Sequence, residues 1–176
     1  RDLLALQEGS LTHAALDAKY LYRRAILTLD LTGFTVAAMK GRPLDALLRI
    51  LDAQKVCIPV FHEHSAPLIR AFADDLVALF EEPGQAVDAA FEIHRRIAAF
   101  NQSGHAAEKP ALACIGIGYG EVYAIGPNLA MGDEMNRASK LGEDTARGNE
   151  TLVTSNVYFA LRNRSDVLFE QLSSDD

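Results

Sequence analysis

The sequence predicts an α+β sandwich, ferredoxin-like, with helices packed against a largely antiparallel sheet. Three observations predict it. Strand-like runs both follow helices and pair as hairpins, in the order β-α-β-β-α-β-β-α-β-α-β. The run over residues 23–31 is apolar almost throughout, as a strand buried on both faces must be. The chain has 176 residues, 49% of them hydrophobic, which suffices for one well-buried domain but not for two.

Taken in order, residues 1–22 are weakly periodic, with Leu3, Leu4, Leu6, Leu11 and Leu16 among polar neighbours. They read as an N-terminal segment, either a short helix or a linker, ahead of a domain spanning 23–176. The first strand is ended by Gly33. Pro43 suits a first helical turn, and Leu44, Leu47, Leu48, Leu51 and Ile58 follow at helical spacing. Residues 67–72 and 76–80 form two strands around Ala73-Asp74-Asp75, a hairpin by length and composition. Pro83 opens another helix, with Val87, Ala90, Phe91, His94, Ile97 and Ala98 on one side. Residues 101–110 read as a loop. Ala111 to Tyr119 is a strand in which Gly116, Gly118 and Gly120 alternate, the mark of close approach by another backbone or a ligand. Val122 to Ile125 is its expected hairpin partner. After a loop at 127–132, a helix runs from about Glu134 to Ala146. Leu152 to Thr154 gives a short strand, Ser155 can cap a helix through Leu161, and Val167 to Phe169 begins a last strand.

The formal net charge of −7 argues against a nonspecific nucleic-acid binder, which needs a basic surface to displace counterions. It leaves room for a nucleotide ligand whose charge is balanced by metal ions. Cys57 and Cys114 fit neither a disulfide framework nor a metal quartet and read as buried thiols of a reducing compartment. No apolar stretch is long enough to cross a bilayer, and no signal peptide is visible. The expectation is a cytoplasmic fragment that makes no membrane contact of its own. Its first residue, Arg1, suggests a fragment of a longer protein; an upstream sensor domain is the expectation, and a membrane tether in full length stays open.

Two aspartates carry the chemistry. Asp30 lies where the strand Ile26-Leu27-Thr28-Leu29-Asp30 runs into Leu31-Thr32-Gly33-Phe34-Thr35. Asp74 lies between two β-like runs. A strand that ends in a carboxylate needs a partner, since a lone desolvated charge is costly. Two such groups suit a shared hard cation such as Mg²⁺, which binds through one or two carboxylates plus substrate phosphates. The alternative is a pair of solvated turn residues.

Asp30-Leu31-Thr32-Gly33-Phe34-Thr35, then Asp74 in a hairpin before a strand ending in Phe80, then Gly132-Asp133-Glu134-Met135-Asn136-Arg137-Ala138-Ser139-Lys140-Leu141 occur in that order. Together they resemble the catalytic domain of the class III nucleotidyl cyclases, the adenylate/guanylate cyclase family, from about Arg23 to Leu161. The resemblance implies conversion of a nucleoside triphosphate to a 3′,5′-cyclic monophosphate and pyrophosphate with two Mg²⁺ or Mn²⁺ ions, in signal transduction. It implies Asp30, Asp74 and the backbone carbonyl of Leu31 as metal ligands. Gly33, Phe34 and Thr35 would offer backbone N–H groups to the triphosphate. Asn136 would orient the ribose, and Lys140, where the family usually has arginine, would stabilise charge on the transferred phosphoryl group. That lysine keeps the charge but loses the planar two-pronged donor, so slower catalysis is expected.

The base-recognition pair departs further. Arg70 stands where the family has lysine, and Leu129 stands where it often has Asp or Thr. ATP is the default substrate, with GTP the alternative. The family's late lysine on a C-terminal strand has no counterpart here, which suggests a truncated C-terminal end. Asp75 beside Asp74 would strengthen metal binding or face water, and water is favoured. The family pairs two domains head to tail with its sites at the interface, so one chain bearing all the motifs implies a homodimer. The rival reading is a catalytically weak cyclase-like module that binds nucleotide or a partner and relays a signal. Lys140, Arg70 and Leu129 favour it, while Asp30, Asp74 and Asn136 favour the enzyme.

Other groups read as structural. His62-Glu63-His64 is expected in a solvated loop, without a third well-spaced metal ligand. His94 is expected to be a satisfied, partly buried residue, and Arg95-Arg96 a solvated helix face. Glu143-Asp144 would orient Lys140 by charge or do nothing.

Overall fold

The computed structural model describes residues 1–32, 43–72, 75–103, 110–126 and 129–172. Its organising element is β1 (Leu21–Thr32), flanked by β3 (Asp75–Phe80) and β4 (Leu112–Ile125), both antiparallel to it. Leu27 pairs with Ala78 on one side and Ile117 on the other. β2 (Leu68–Phe72) lies outside β3. On its far side β4 carries two short partners, β6 (Glu150–Val153) in parallel along its first half and β5 (Leu129–Met131) antiparallel along its second. The sheet order is β2-β3-β1-β4-β5, with β6 beside β4. This is the α+β arrangement the sequence predicts, with four of its five strand pairings antiparallel.

One expected turn does not form. β4 is a single 14-residue strand, and Val122 to Ile125 continues it instead of folding back. The cause is β1, whose Leu21–Arg24 segment pairs with Gly120–Tyr123 and holds β4 extended. The hairpin partner is β5, where a loop was expected. Val167 to Phe169 forms no strand.

Side chains alternate across β1. Ala25, Leu27, Leu29 and Leu31 enter the main core with Phe61, Phe80, Ile93 and Ile115. That face is covered by α3 (Pro43–Glu63), α4 (Pro83–Gln102) and α6 (Ser155–Leu161). Phe61 and Phe80 meet edge to face, with centroids 6.2 Å apart. α3 reaches this core through Ala53, Cys57, Val60 and Phe61, while Leu44, Leu47, Leu48 and Leu51 are 44–60% exposed. α4 buries Ala86, Val87, Ala90, Ile93 and Ile97, and Phe91 and Ala98 point outward.

On the opposite face, Ile26, Leu79, Val122 and Ala138 form a small cluster beneath α5 (Asp133–Ser139). A π-helical turn, Lys140–Thr145, continues α5 where one α-helix was expected through Ala146. Thr28 supplies the reason. Its hydroxyl donates to the Ala138 carbonyl at 2.8 Å, the group an α-helix would give to the Gly142 N–H. The wider turn closes with Ala146 N–H donating to Leu141 O at 2.7 Å.

Residues 1–22 resolve into α1 (Asp2–Gln7) and α2 (His13–Tyr20), the latter capped by Thr12 and running directly into β1. Asp2 accepts from Lys19 at 2.5 Å and from Tyr20 at 2.7 Å. His62 and Glu63 close α3 instead of lying in a loop, and Glu63 pairs with Arg96. Arg95 and Arg96 both engage Glu92, so they are pinned and not simply solvated.

Candidate active site

Asp30 sits near the end of β1, half-buried, paired across the ladder with Cys114. Its Oδ1 accepts from the Leu31 N–H at 2.7 Å. Alternation puts it on the α5 face with Ile26 and Thr28. The Leu31 side chain is in the main core. The β1–β3 register runs to Leu29–Leu76, which brings the exposed Asp75 next to Asp30 at the following step. Exposure of Asp75 is what the sequence favoured. Asp74, Gly33, Phe34 and Thr35 lie outside the described residues.

The neighbourhood is electrostatically negative. The Glu143 carboxyl is pushed above its ordinary pKa, first by burial and then by the charges of Asp75, Asp144 and Asp30. Glu143 therefore senses the end of β1. Among the described residues Lys140 forms no ion pair with Glu143 or Asp144. The Cys114 thiol is also raised, by burial and by Asp30 and Glu150. Cys57 is pushed to about 12 by burial alone. Both cysteines are free and buried, as expected. The donors at the end of β1 are hard carboxylate oxygens in a field that favours a cation, which fits Mg²⁺ or Mn²⁺. Among the described residues alone, no group of three or more His, Cys, Asp or Glu converges as a metal site.

α5 owes its position to the glycines of β4. A Cβ on Gly116 would lie 2.0 Å from the Ala138 carbonyl oxygen, and one on Gly118 would lie 2.5 Å from that of Glu134. The alternating glycines thus admit another backbone, one of the two readings their pattern allowed. The inward residues of this segment are Glu134, Ala138 and Gly142, all buried. Asn136 and Lys140 lie half a turn away and are exposed, one turn apart on the outer side.

Arg137 takes no part in that outer pair. Its Nη1 donates to Glu134 Oε1 at 3.0 Å. Arg70 is exposed on edge strand β2 and pairs with Val77. Leu129 opens β5, the edge strand on the far side, with three strands between it and β2.

Sequence reasoning missed Glu134 and Thr154. An acid in a first helical turn reads as a complement to the helix dipole. Here Glu134 instead turns beneath the helix, and the signal was its alignment with the glycines at 118 and 120. Thr154, not Ser155, is the residue preceding α6, and its hydroxyl donates to Glu134 Oε2 at 2.7 Å.

Away from these residues, a groove of about 800 Å³ opens between α4, β6, α6 and residues 167–172, walled by Phe91, Leu152, Tyr158 and Phe169. It holds none of the sequence-predicted site residues. His94 lines it, with Nε2 2.8 Å from Thr151 Oγ1. Its Nδ1 is buried without a partner among the described residues, so the imidazole is only half satisfied.

No protein-family model and no curated protein matches the sequence. Solved structures do. The adenylate/guanylate cyclase/hydrolase from Silicibacter pomeroyi is 21% identical, with 87% of each chain covered and a TM-score of 0.75. The adenylyl cyclase CyaB from P. aeruginosa is 16% identical, with 82% of this chain and 83% of that one covered and a TM-score of 0.72. The guanylate cyclase domain of RhGC from Catenaria anguillulae, in complex with GTP, is 17% identical, with 82% and 85% covered and a TM-score of 0.69.

Proposed function

Starting from a chain that has the fold of the class III adenylyl and guanylyl cyclase catalytic domains, we propose that it is a nucleotidyl cyclase. The reaction is intramolecular. The ribose 3′-hydroxyl gives up its proton to solvent as its oxygen bonds to the α-phosphorus, the bond from that phosphorus to the oxygen bridging to the β-phosphate breaks, and pyrophosphate leaves with the electron pair. ATP is the default substrate and GTP the alternative.

The observation that carries this reading is the carboxylate of Asp30 on the α5 face of the sheet, beside further acids, in a chain of this fold. Asp30, Asp74 and the Leu31 carbonyl would hold two Mg²⁺ or Mn²⁺ ions. When bound, such ions lower the pKa of the attacking hydroxyl and neutralise the leaving pyrophosphate. Gly33, Phe34 and Thr35 would present N–H groups to the triphosphate. Asn136 would hold the ribose, and Lys140 would stabilise charge on the phosphoryl group in flight. Arg70 and the segment at Leu129 would face the base.

The outward aim of Asn136 and Lys140 supports a head-to-tail homodimer. They point away from the sheet that carries their own Asp30, so they serve a site completed by another surface. The exposed Leu44, Leu47, Leu48 and Leu51, at helical spacing along α3, are an apolar stripe of the kind that a second copy buries. Among the described residues no helix is long and apolar enough to cross a membrane.

The test offers the purified protein ATP, GTP, CTP and UTP with Mn²⁺ and identifies any cyclic product by mass. Asp30→Ala and Asp74→Ala should abolish turnover, and specific activity should rise with protein concentration as dimer forms. A wild type as inert as the two variants on all four triphosphates would instead assign the chain to the relay reading.

A further inference from the structure

Glu134 is a charged side chain only 7% exposed, and among the described residues it bonds to Tyr119, Thr154 and Arg137. Oε2 accepts from the Tyr119 N–H at 3.1 Å and from the Thr154 hydroxyl at 2.7 Å. Oε1 accepts from Arg137. The side chain lies in a slot that exists because β4 has glycine there: a Cβ on Gly120 would stand 2.6 Å from Glu134 Cγ. A buried carboxylate is stable only when its oxygens are satisfied. This one is satisfied from three elements at once: β4, α5 and the β6–α6 junction, where Thr154 N–H also donates to Ile117 O at 2.9 Å.

We propose that Glu134 is a positioning residue that sets the pose in which α5 presents Asn136 and Lys140. The consequence for catalysis rests on the cyclase reading; the anchoring itself does not. Seven α-helical residues continued by a single π turn are too short a segment to hold their own orientation. Its rotation about its axis is fixed from beneath, by Glu134 at the first turn and the Gly116–Ala138 contact at the last. Asn136 is two residues from this anchor. The ion pair also keeps Arg137, next to Asn136, from swinging to the outer side as a competing cation.

Glu134→Ala removes all the contacts. Glu134→Gln separates them: its carbonyl oxygen can still accept from Tyr119 and Thr154, while its amide cannot pair with Arg137. Three readouts apply to the purified full chain with Mn²⁺ and the accepted triphosphate. In Glu134→Ala, amides 136–142 should exchange hydrogen faster, and the Asn136 side-chain amide resonances should broaden or split. Its kcat should fall by about 100-fold, the scale of an ångström-sized misplacement, with KM little changed. Glu134→Gln should recover the exchange protection and most of kcat.

If Glu134→Ala does not fold, Thr154→Val, which deletes one donor, should give the same pattern at roughly tenfold. A folded Ala or Val variant with unchanged exchange, an unchanged Asn136 signal and unchanged kcat overturns the inference. A wild type that makes no cyclic product but shows the expected exchange and Asn136 changes supports the anchor and sinks the cyclase reading instead.

Discussion

The two faces of the sheet are held in opposite ways. Toward α3, α4 and α6, cohesion comes from volume: Leu27, Leu29, Phe61, Phe80 and Ile93 interdigitate around the edge-to-face aromatic pair. Toward α5 it comes from the absence of volume. Gly116 and Gly118 let a helical backbone settle onto β4, Gly120 makes room for the Glu134 side chain, and polar contacts from Thr28 and Glu134 fix the helix there. The first face cannot lose side chains without leaving cavities. The second has almost nothing to lose and no room to gain. The groups proposed for chemistry sit with the second, where backbone fixes position more tightly than side chains can.

Adding and removing atoms should therefore have opposite consequences on the two faces. Gly116→Ala would place a methyl 2.0 Å from the Ala138 oxygen and 2.6 Å from the Gly142 nitrogen, both backbone atoms. It should cost about 3 kcal/mol or more, at or beyond the top of the usual overpacking range, and undock α5. Leu27→Ala, on the same pair of strands but facing the other way, should cost about 2–5 kcal/mol by leaving a cavity, with α5 still protected in hydrogen exchange. A Gly116→Ala protein with wild-type melting temperature and a protected α5 would break the distinction.

Neighbouring residues of β1 sharpen it further. Leu29 enters the main core and Asp30 faces α5. Leu29→Ala should lower the melting temperature while whatever remains folded turns over normally. Asp30→Asn should do the reverse, holding the melting temperature within a few degrees and reducing turnover by at least about 100-fold, or roughly 2.7 kcal/mol of barrier. Equal loss of both properties in both variants would mean that the faces do not divide stability from chemistry.

Much of this was legible in the chain. The apolar runs in 23–31 and 76–80, and the helical spacing of apolar residues after Pro43 and Pro83, mark the elements themselves, and those elements stand where the sequence put them. The glycine alternation at 116–120 announced a close approach but not which backbone approached. What sequence could not show is long-range pairing. β4 stays straight through Gly120 because β1 pairs alongside it, and nothing local to Val122–Ile125 records that. The π turn likewise depends on Thr28, 110 residues before Ala138 in the chain. The leucines at 44, 47, 48 and 51 have core periodicity and yet are exposed, since periodicity reports an apolar face but not what covers it.

Lys140 offers a smaller effect on the outer surface of α5. It is exposed and opens the π turn, so a longer side chain meets no packing barrier. Lys140→Arg restores the planar donor pair suited to phosphate oxygens. Turnover should rise by up to about tenfold, equivalent to about 1.4 kcal/mol, with no change in melting temperature because the residue lies outside both packed faces. If turnover falls instead, the site is fitted to lysine, and Lys140 is no weakened copy of an arginine.

The smallest effect expected belongs to His94, on the volume-held side. Burial holds its pKa below the ordinary 6.5, so the folded chain binds that proton less readily than the unfolded chain does. The sign follows: its contribution to stability is intact above 6.5 and declines as pH falls below that value toward the lowered folded pKa. Lowering the pH from about 7.5 to 5.5 should therefore reduce the melting temperature of the wild type by no more than a few degrees. His94→Gln, which can still bond Thr151 but does not titrate, should flatten the curve. Glu92 does not blur the window. Its carboxyl, held near 2 by Arg95 and Arg96, loses its contribution only as pH drops below the ordinary glutamate value of 4.5. A wild-type slope that persists unchanged in His94→Gln would move the titrating group elsewhere and leave the half-satisfied imidazole without thermodynamic consequence.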